Sequence, residues 1–278
     1  MRNFNFTMFK KLSHIPDEQL IKVYDDTPLW SAPFGLTLLD TIKYRKNINI
    51  LDIGSGCGFP ILDVAMRFGT TCKVYGIDIW ESGVNKIREK ISVLKLSNAE
   101  IIQANAEKLP FENEYFGLII SNNGLNNVED IDKVFSECYR TLKSGGQFVF
   151  TFNLPGTMLE FYEIFKVVLK ENNLLKEVHD VDVHISKKRK TQKEMSDLLC
   201  KHKFIVKSSM YYSFGYKFTD ADSMFNYFTI KEFFLPLWLE TLKEEDRENI
   251  FTEVLKRLNK KYDTITLTIP YTCIDCEK

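Results

Sequence analysis

The chain has 278 residues, of which 44% are hydrophobic and 27% charged, and its formal net charge is -1. This length and composition suffice for one large core, or for a core with a cap. Because the charges nearly balance, the chain lacks the global positive field of nucleic-acid-binding proteins, and we expect a small-molecule substrate and no nucleic acid partner.

The cysteines, the N-terminal residues and the apolar runs indicate a cytoplasmic protein. Six cysteines are scattered without the spacing of a disulfide framework. The N-terminal residues show no signal-peptide pattern, and no apolar run approaches the ~20 residues of a membrane span. We expect no membrane span, and either a monomer or a homodimer.

Short apolar runs alternate with helical patterns through the first half of the chain. Each run is bounded by turn residues and is rich in Ile, Val or Phe, as buried strands are. The predicted strands are 48–53, 73–77, 100–103, 117–121 and 147–152, with helices predicted at 60–68, 82–94 and 131–142. The alternation predicts an α/β fold with a parallel sheet covered by helices on both faces.

The flanking segments are expected to extend that sheet and to cover it. Helices are predicted over most of 1–46, at 155–175 and 191–203, and as an amphipathic pair within 220–260; strands are predicted at 204–213 and 264–273. Because no linker rich in Pro, Gly or Ser separates these parts, we expect a single domain, 1–278. Its predicted parts are an N-terminal helical lid (1–46), a cofactor-binding half (47–152) and a substrate half (153–278) with a helical cap at about 220–260, before the last strand.

The segment LDIGSGCGFP, between the first predicted strand and a helix, carries the first chemical signal. Gly54, Gly56 and Gly58 form a G-x-G-x-G turn, in which glycine permits positive φ and lets a ligand approach the backbone. The N-terminus of the following helix offers free N–H groups to a carboxylate or phosphate. Several nucleotide-binding classes share such turns, so the neighbouring residues must decide between them.

Two acidic residues beside the turn narrow the ligand class. The third glycine of the dinucleotide fingerprint is replaced by Phe59, and Asp52, two residues before Gly54, disfavours a pyrophosphate and suits an amino group. Asp78 ends the second predicted strand, where a carboxylate can accept hydrogen bonds from both ribose hydroxyls. We therefore expect an adenosine-like nucleoside with a zwitterionic tail, a description that S-adenosylmethionine fits.

Five ordered motifs within about residues 45–152 resemble those of the class I S-adenosylmethionine-dependent methyltransferases, near the menaquinone/ubiquinone C-methyltransferase-like (methyltransferase type 11) group. They are LDIGSGCG, GID at 76–78, NAEKLPF at 105–111, LIISNNGLNNV at 118–128 and TLKSGGQFVF at 141–150. The resemblance implies a Rossmann-like, seven-stranded, mostly parallel sheet. Two departures are Asn105, where Asp is commoner, and Ser144, where Pro is usual.

The resemblance also implies roles around the cofactor. Asp52 orients its methionine end close to the glycine turn, and Asp78 holds the ribose. The remaining implied contacts are Ile79 and Leu125 on or beside the adenine, Asn105 and Ala106 at its edge, and a carbonyl of Ser121 or Asn122 for the amino group. For Asn105 a plain turn residue is the alternative.

Candidates for the methyl acceptor site rest on position alone. Asn123 and Asn126 follow the fourth predicted strand, where open α/β sheets bind ligands, although Asn is also common in loops. Tyr24 and Trp30 in the lid, and Phe225 and Phe228 in the cap, are further candidates, with core packing as the alternative.

No catalytic base is assigned by the sequence. His184 is a candidate, with a solvated or core histidine as the alternative. The basic run 187–190 is expected in an exposed loop. Cys273 and Cys276 are expected on opposite faces of the last strand, which is poor zinc geometry, so we expect no metal.

Three functions stay open at this point. The aromatic cap and neutral charge favour a methyltransferase acting on a small, apolar or aromatic metabolite by in-line displacement. An RNA or protein methyltransferase would need a basic groove or a recognition domain. A non-catalytic S-adenosylmethionine-binding protein on the same fold is the third.

Overall fold

The protein is described by a computed structural model over residues 6–9, 15–24 and 30–278. Its strands are β1 (Asn49–Ile53), β2 (Lys73–Asp78), β3 (Ala99–Gln103), β4 (Phe116–Asn122), β5 (Leu142–Asn153), β6 (Ile205–Phe218) and β7 (Ile265–Glu277). They form one seven-stranded sheet in the order β3-β2-β1-β4-β5-β7-β6. Strands β1 to β5 pair in parallel and β7 runs antiparallel to β5, which confirms the predicted Rossmann-like, mostly parallel sheet.

Helices connect and flank these strands. They are α1 (Asp17–Val23), α2 (Ala32–Thr41), α3 (Ile61–Phe68), α4 (Glu81–Leu94), α5 (Ile131–Thr141), α6 (Leu159–Glu171), α7 (Leu175–Lys188), α8 (Gln192–Lys201), α9 (Ala221–Asn226), α10 (Leu235–Glu240) and α11 (Glu244–Lys261). The three helices predicted between the first five strands are α3, α4 and α5, each within a residue or two of its predicted bounds.

The central strands are buried on both faces, which explains why their sequences are continuous apolar runs. Every residue of β4 is buried. Alternate residues enter two different clusters, so Ile119 and Phe148 pack on one face while Leu118 and Val149 pack on the other. Cys276 belongs to the first cluster and Cys273 to the second, which confirms the prediction that they lie on opposite faces.

Two stretches differ from the sequence-based expectation. The basic run 187–190 does not lie in an exposed loop, since Lys187 and Lys188 end α7 and Arg189 is buried, with 6% of its surface exposed. The segment 220–260 contains α9, a π-helical turn, α10 and α11 rather than two helices. The π-helical turn (Ile230–Phe234) leads directly into α10, and Pro236 lies in the first turn of α10, where the missing proline N–H is tolerated.

The chain divides into two compact units, each assembled from separate stretches. One unit, the sheet unit, contains Asp17–Leu154, Arg189–Tyr212 and Tyr271–Lys278, and so carries β1 to β5 whole. The other, the helical unit, contains Pro155–Lys188, Ser213–Pro270 and the described residues before Asp17. Across the described residues no helix has the length and apolar character needed to span a bilayer.

The helical unit has an aromatic core of its own. The Phe161 ring stacks on Trp238 with centroids 3.8 Å apart, and the Trp238 indole Nε1 donates to Tyr162 Oη at 2.9 Å. Phe225 and Phe251 pack around them, and both are fully buried. Stacking, burial and a satisfied indole N–H together fix how α6 and α10 pack.

We expect Phe161→Ala to lower the free energy of unfolding by about 3–5 kcal/mol, because it empties a buried site facing Trp238. Leu159→Ala, two residues earlier and 48% exposed, is the matched control and should cost well under about 1 kcal/mol. Urea unfolding followed by tryptophan fluorescence measures both. Equal losses for the two variants would contradict this description of the core.

Candidate cofactor-binding site

The carboxyl ends of β1 and β2 meet at the glycine turn. The N–H groups of Gly54 and Ser55 both donate to the Ile77 carbonyl, at 2.9 and 3.1 Å, and join the turn to β2. Gly54, Gly56 and Gly58 have φ values of 74°, 54° and 115°, as the sequence predicts. This conformation suits glycine and strains other L residues.

Steric space around the turn differs from one glycine to the next. A Cβ at Gly54 would lie 3.1 Å from Gly124 Cα, so the main chains after β1 and β4 approach too closely for a side chain. A Cβ at Gly56 would meet no described protein atom within 4 Å. The structure therefore packs one side of the turn tightly and leaves room at Gly56 for a ligand.

Asp52 is a fully buried carboxylate beside this turn. Its side chain is 0% exposed, and neither oxygen has a hydrogen-bond partner among the described residues. Burial raises the pKa of its carboxyl to about 7. The nearby Ser55 hydroxyl, whose hydrogen bond goes to the Asp52 main-chain carbonyl at 3.2 Å, opposes the rise, and the charge of Asp78 adds to it. An unpartnered buried carboxylate is costly unless a cation or donor compensates it, so its chemistry fits the amino group of a zwitterionic ligand.

Asp78 ties the turn to the start of α4. Its Oδ2 accepts from the Gly56 N–H at 2.8 Å, and its Oδ1 accepts from the Trp80 N–H at 2.9 Å. Each carboxylate oxygen keeps a further acceptor position for a ribose hydroxyl. The half-buried carboxylate thus shapes the turn and remains able to bind a nucleoside.

The side chains expected around an adenine differ in exposure. Ile79 is 69% exposed directly after β2, so its side chain is accessible to a ligand at this edge of the sheet. Asn105 is exposed, and its Oδ1 accepts from the Glu107 N–H at 2.8 Å. This hydrogen bond is typical of a plain turn residue, the alternative to an adenine contact. Ala106 and Leu125 are only 8% and 4% exposed, and both belong to one hydrophobic core cluster.

A network of uncharged carboxamides occupies the carboxyl ends of β4 and β5. Asn126 Nδ2 donates to Asn123 Oδ1 and to Asn153 Oδ1. Asn122 Oδ1 accepts from Thr151 Oγ1 at 3.1 Å. The hydroxyl of Ser121, the remaining predicted residue, donates to the Ile53 carbonyl at 2.8 Å. Because Gly124 lies within this stretch and contacts Gly54, the network adjoins the glycine turn.

The N-terminal helices contact this same edge of the sheet unit. Trp80, the residue before α4, donates from Nε1 to Asp17 Oδ1 at 2.8 Å, and its ring meets Tyr24 edge-on at 5.3 Å. Asn122 Nδ2 donates to the Ser31 carbonyl at 3.1 Å. Trp30 packs against the buried Phe34 at 5.9 Å. Tyr24 therefore lies near Asp78 through Trp80, while Trp30 belongs to the packing of α2.

Three predicted residues lie in the helical unit instead. His184 is half-buried on α7. Phe225 is fully buried and its ring contacts Phe161 and Trp238, so core packing, the alternative reading, describes it. Phe228 is half-buried, with its ring 5.9 Å from Phe233.

Sequence reasoning missed three residues of the site. Trp80 lies two residues after β2, Asn153 is the last residue of β5, and Gly124 lies two residues after β4. The signal was available for Asn153, since the carboxyl ends of adjacent parallel strands meet at one edge of a sheet. The Gly54–Gly124 approach depends on the spacing between two strands, which no local pattern encodes.

Comparison with known proteins identifies the family. A family described as "Methyltransferase domain" matches residues 44–203, more than half of the chain. The chain belongs to this methyltransferase family. Membership confirms the resemblance to the S-adenosylmethionine-dependent methyltransferases and, with it, the cofactor class. The open space at Gly56 and the unpartnered Asp52 carboxylate fit that cofactor.

Curated relatives match less than half of the chain. Demethylmenaquinone methyltransferase of Listeria monocytogenes serotype 4a (strain HCC23) is 33% identical over 132 residues, 46% of this chain and 56% of that protein. Ubiquinone/menaquinone biosynthesis C-methyltransferase UbiE of Escherichia coli O1:K1 is 38% identical over 119 residues, 42% of this chain and 47% of that protein. The chain thus spans about half the length of the curated relatives it matches.

A solved structure shares the fold over a longer stretch. An S-adenosylmethionine-dependent methyltransferase from Aquifex aeolicus superposes with a TM-score of 0.51 at 19% identity, over 70% of this chain and 92% of that chain. At this identity the likeness concerns the fold alone.

We expect the ionisation of Asp52 to make the ligand-free methyltransferase less stable as pH rises. The folded-state pKa of about 7 lies above the ordinary 3.8, so the folded protein holds a proton that the unfolded chain has lost. Between pH 5 and 7 the free energy of unfolding should fall by about 2–3 kcal/mol more for the wild type than for Asp52→Asn. Urea titrations at several pH values measure it, and parallel curves for the two proteins would contradict the raised pKa.

Asp78→Ala should weaken binding of S-adenosylhomocysteine about 10- to 150-fold, the effect of losing hydrogen bonds to a charged group. Some stability should also be lost, because the N–H groups of Gly56 and Trp80 lose their acceptor. Calorimetry well below the melting temperature keeps the two effects apart. Asp63→Ala removes a half-buried carboxylate on α3 that pairs with Arg67; it is the control and should bind normally. An unchanged affinity for Asp78→Ala would remove Asp78 from the ribose site.

Proposed function

We propose that this methyltransferase transfers a methyl group from S-adenosylmethionine to a small, apolar or aromatic metabolite by in-line displacement. The observation that carries the proposal is the buried, unpartnered carboxylate of Asp52 beside an open, positive-φ glycine turn. A turn of this kind with a carboxylate at its base favours a cationic amino group over a pyrophosphate, which separates this cofactor from a dinucleotide.

The protein's own part in the reaction is to bind, orient and exclude water. When bound, S-adenosylmethionine supplies an electrophilic methyl group on a sulfonium. Asp52 would hold the amino group, Asp78 the ribose hydroxyls, and Ile79 one face of the adenine. Contacts at these three points would hold the cofactor in one orientation, and alignment of this kind provides much of the acceleration in group transfer.

The carboxamide network supports a neutral, oxygen-bearing acceptor. Asn126 uses its Nδ2 on Asn123 and Asn153, and its Oδ1 has no hydrogen-bond partner among the described residues, so it can accept from a hydroxyl. The network contains no charged side chain, so a carboxylate or phosphate acceptor would find no counter-ion there. The relatives named for demethylmenaquinone and ubiquinone/menaquinone make a reduced quinone ring the first acceptor to test.

We also propose that the N-terminal segment acts as a lid over the cofactor. The α1 helix has no buried residue, yet Asp17 accepts from Trp80 Nε1 and from Ser82 Oγ at the start of α4. A short helix held mainly by polar contacts can detach at small cost, which a site that must open and close requires. The helical cap at about 220–260 stays a prediction.

The purified protein should bind S-adenosylhomocysteine at micromolar concentration and should not bind NAD. With methyl-labelled S-adenosylmethionine, label should appear on a reduced demethylmenaquinone of short side chain. Calorimetry and extraction of labelled product measure the two steps. Tight NAD binding without S-adenosylhomocysteine binding would overturn the proposal.

The same assay separates the alternatives. Label in added tRNA or in protein would favour the RNA or protein methyltransferase, and cofactor binding without transfer to any fraction of a metabolite extract would favour the non-catalytic protein. Asn126→Leu serves as the internal control, because it should keep cofactor affinity while lowering transfer to the quinol.

A further inference from the structure

A groove of about 710 Å³ lies on the helical unit between α6 and α11, and no step of the proposed methyl transfer uses it. Five basic side chains and one acidic side chain line it: Lys166, Lys170, Arg257, Lys260, Lys261 and Glu163. Its volume falls within the roughly 300–1,000 Å³ of small-molecule sites. A concave surface with this excess of cations favours an anionic ligand.

Ion pairs fix some of these cations and leave others available. Lys166 pairs with Asp182 at 2.8 Å, Lys261 pairs with Glu163 at 3.5 Å, and Arg257 binds Glu171 and Glu253. Lys170 and Lys260 take part in no ion pair among the described residues. The uncompensated positive charge of the groove therefore belongs to one lysine from each helix.

The groove also has an aliphatic surface. Val167 is 45% exposed in it, and Ile164 lies beneath with 6% exposed. On α6 the residues Glu163, Val167 and Lys170 lie on one face, three and four positions apart. The methylene stems of the lysines extend this apolar strip. An exposed valine next to two unpaired ammonium groups suits a ligand with an alkyl part and a charged head.

We propose that this groove binds an amphipathic anion, with its aliphatic chain along Val167 and its anionic head between Lys170 and Lys260. Neither half of such a ligand alone should suffice. Inorganic phosphate would leave the aliphatic strip uncovered, and an uncharged alkyl compound would leave both ammonium groups without a counter-ion. A free alkyl phosphate and a phospholipid headgroup offer the same chemistry.

The test uses the full chain and octyl phosphate below its micelle concentration. Calorimetry should show saturable binding that the double variant Lys170→Gln, Lys260→Gln weakens about tenfold or more. The matched control, Lys176→Gln with Lys217→Gln, removes two exposed charges of the same unit outside the groove and should leave affinity unchanged. A thermal unfolding curve unchanged from that of the wild type shows that each variant is folded.

A second arm distinguishes the source of the anion. Sedimentation with vesicles rich in anionic phospholipid, lost in the groove variant but not in the control, would support a membrane headgroup. Monomer binding without vesicle binding would support a free amphipathic anion. The proposal is overturned if octyl phosphate does not bind, if octyl glucoside binds equally well, or if both double variants weaken binding alike.

Discussion

The geometry of the cofactor site depends on one carboxylate, that of Asp78. Its two oxygens take N–H groups from the glycine turn after β1 and from the residue that precedes α4, and so connect three successive parts of the chain. Three positive φ values at alternate residues are not held by local preference alone, since each glycine gains its freedom at an entropic cost. Asp78 therefore gives the turn its shape before any nucleoside arrives, and a ribose would bind to a carboxylate already in place.

Asp52 differs from Asp78, because its carboxylate oxygens have no hydrogen-bond partner among the described residues. The fold buries this carboxylate and gives it no partner, which is a local loss of stability in the ligand-free protein. Such a loss is recovered when a ligand brings the missing charge. One acid thus has both oxygens engaged in shaping the turn and the other has no partner among the described residues, although they lie on neighbouring strands and carry the same functional group.

The sequence predicted the sheet half well because its signals are local. Buried strands read as short apolar runs, and the glycines and both acids are fixed by their place in the first crossover. Phe225 and Arg189 were harder, because an aromatic stripe and a basic run look alike whether they are exposed or buried. Whether Phe225 faces a ligand or Trp238 depends on contacts of α9 and α10 with α6, which is far from both in sequence. The groove of Lys170 and Lys260 likewise lies between α6 and α11, which are separated in sequence by four helices and a strand.

The connectivity of the two units limits which rearrangements of the sequence can preserve the fold. Each unit consists of three separate stretches, and β6 and β7 each begin in one unit and end in the other. No contiguous deletion removes the helical unit, and no simple fusion could exchange it for that of another protein. New acceptor specificity would have to come from substitutions in place or from longer loops, rather than from swapping modules. For engineering, the same connectivity makes grafting impractical and favours mutagenesis at single positions of an intact chain.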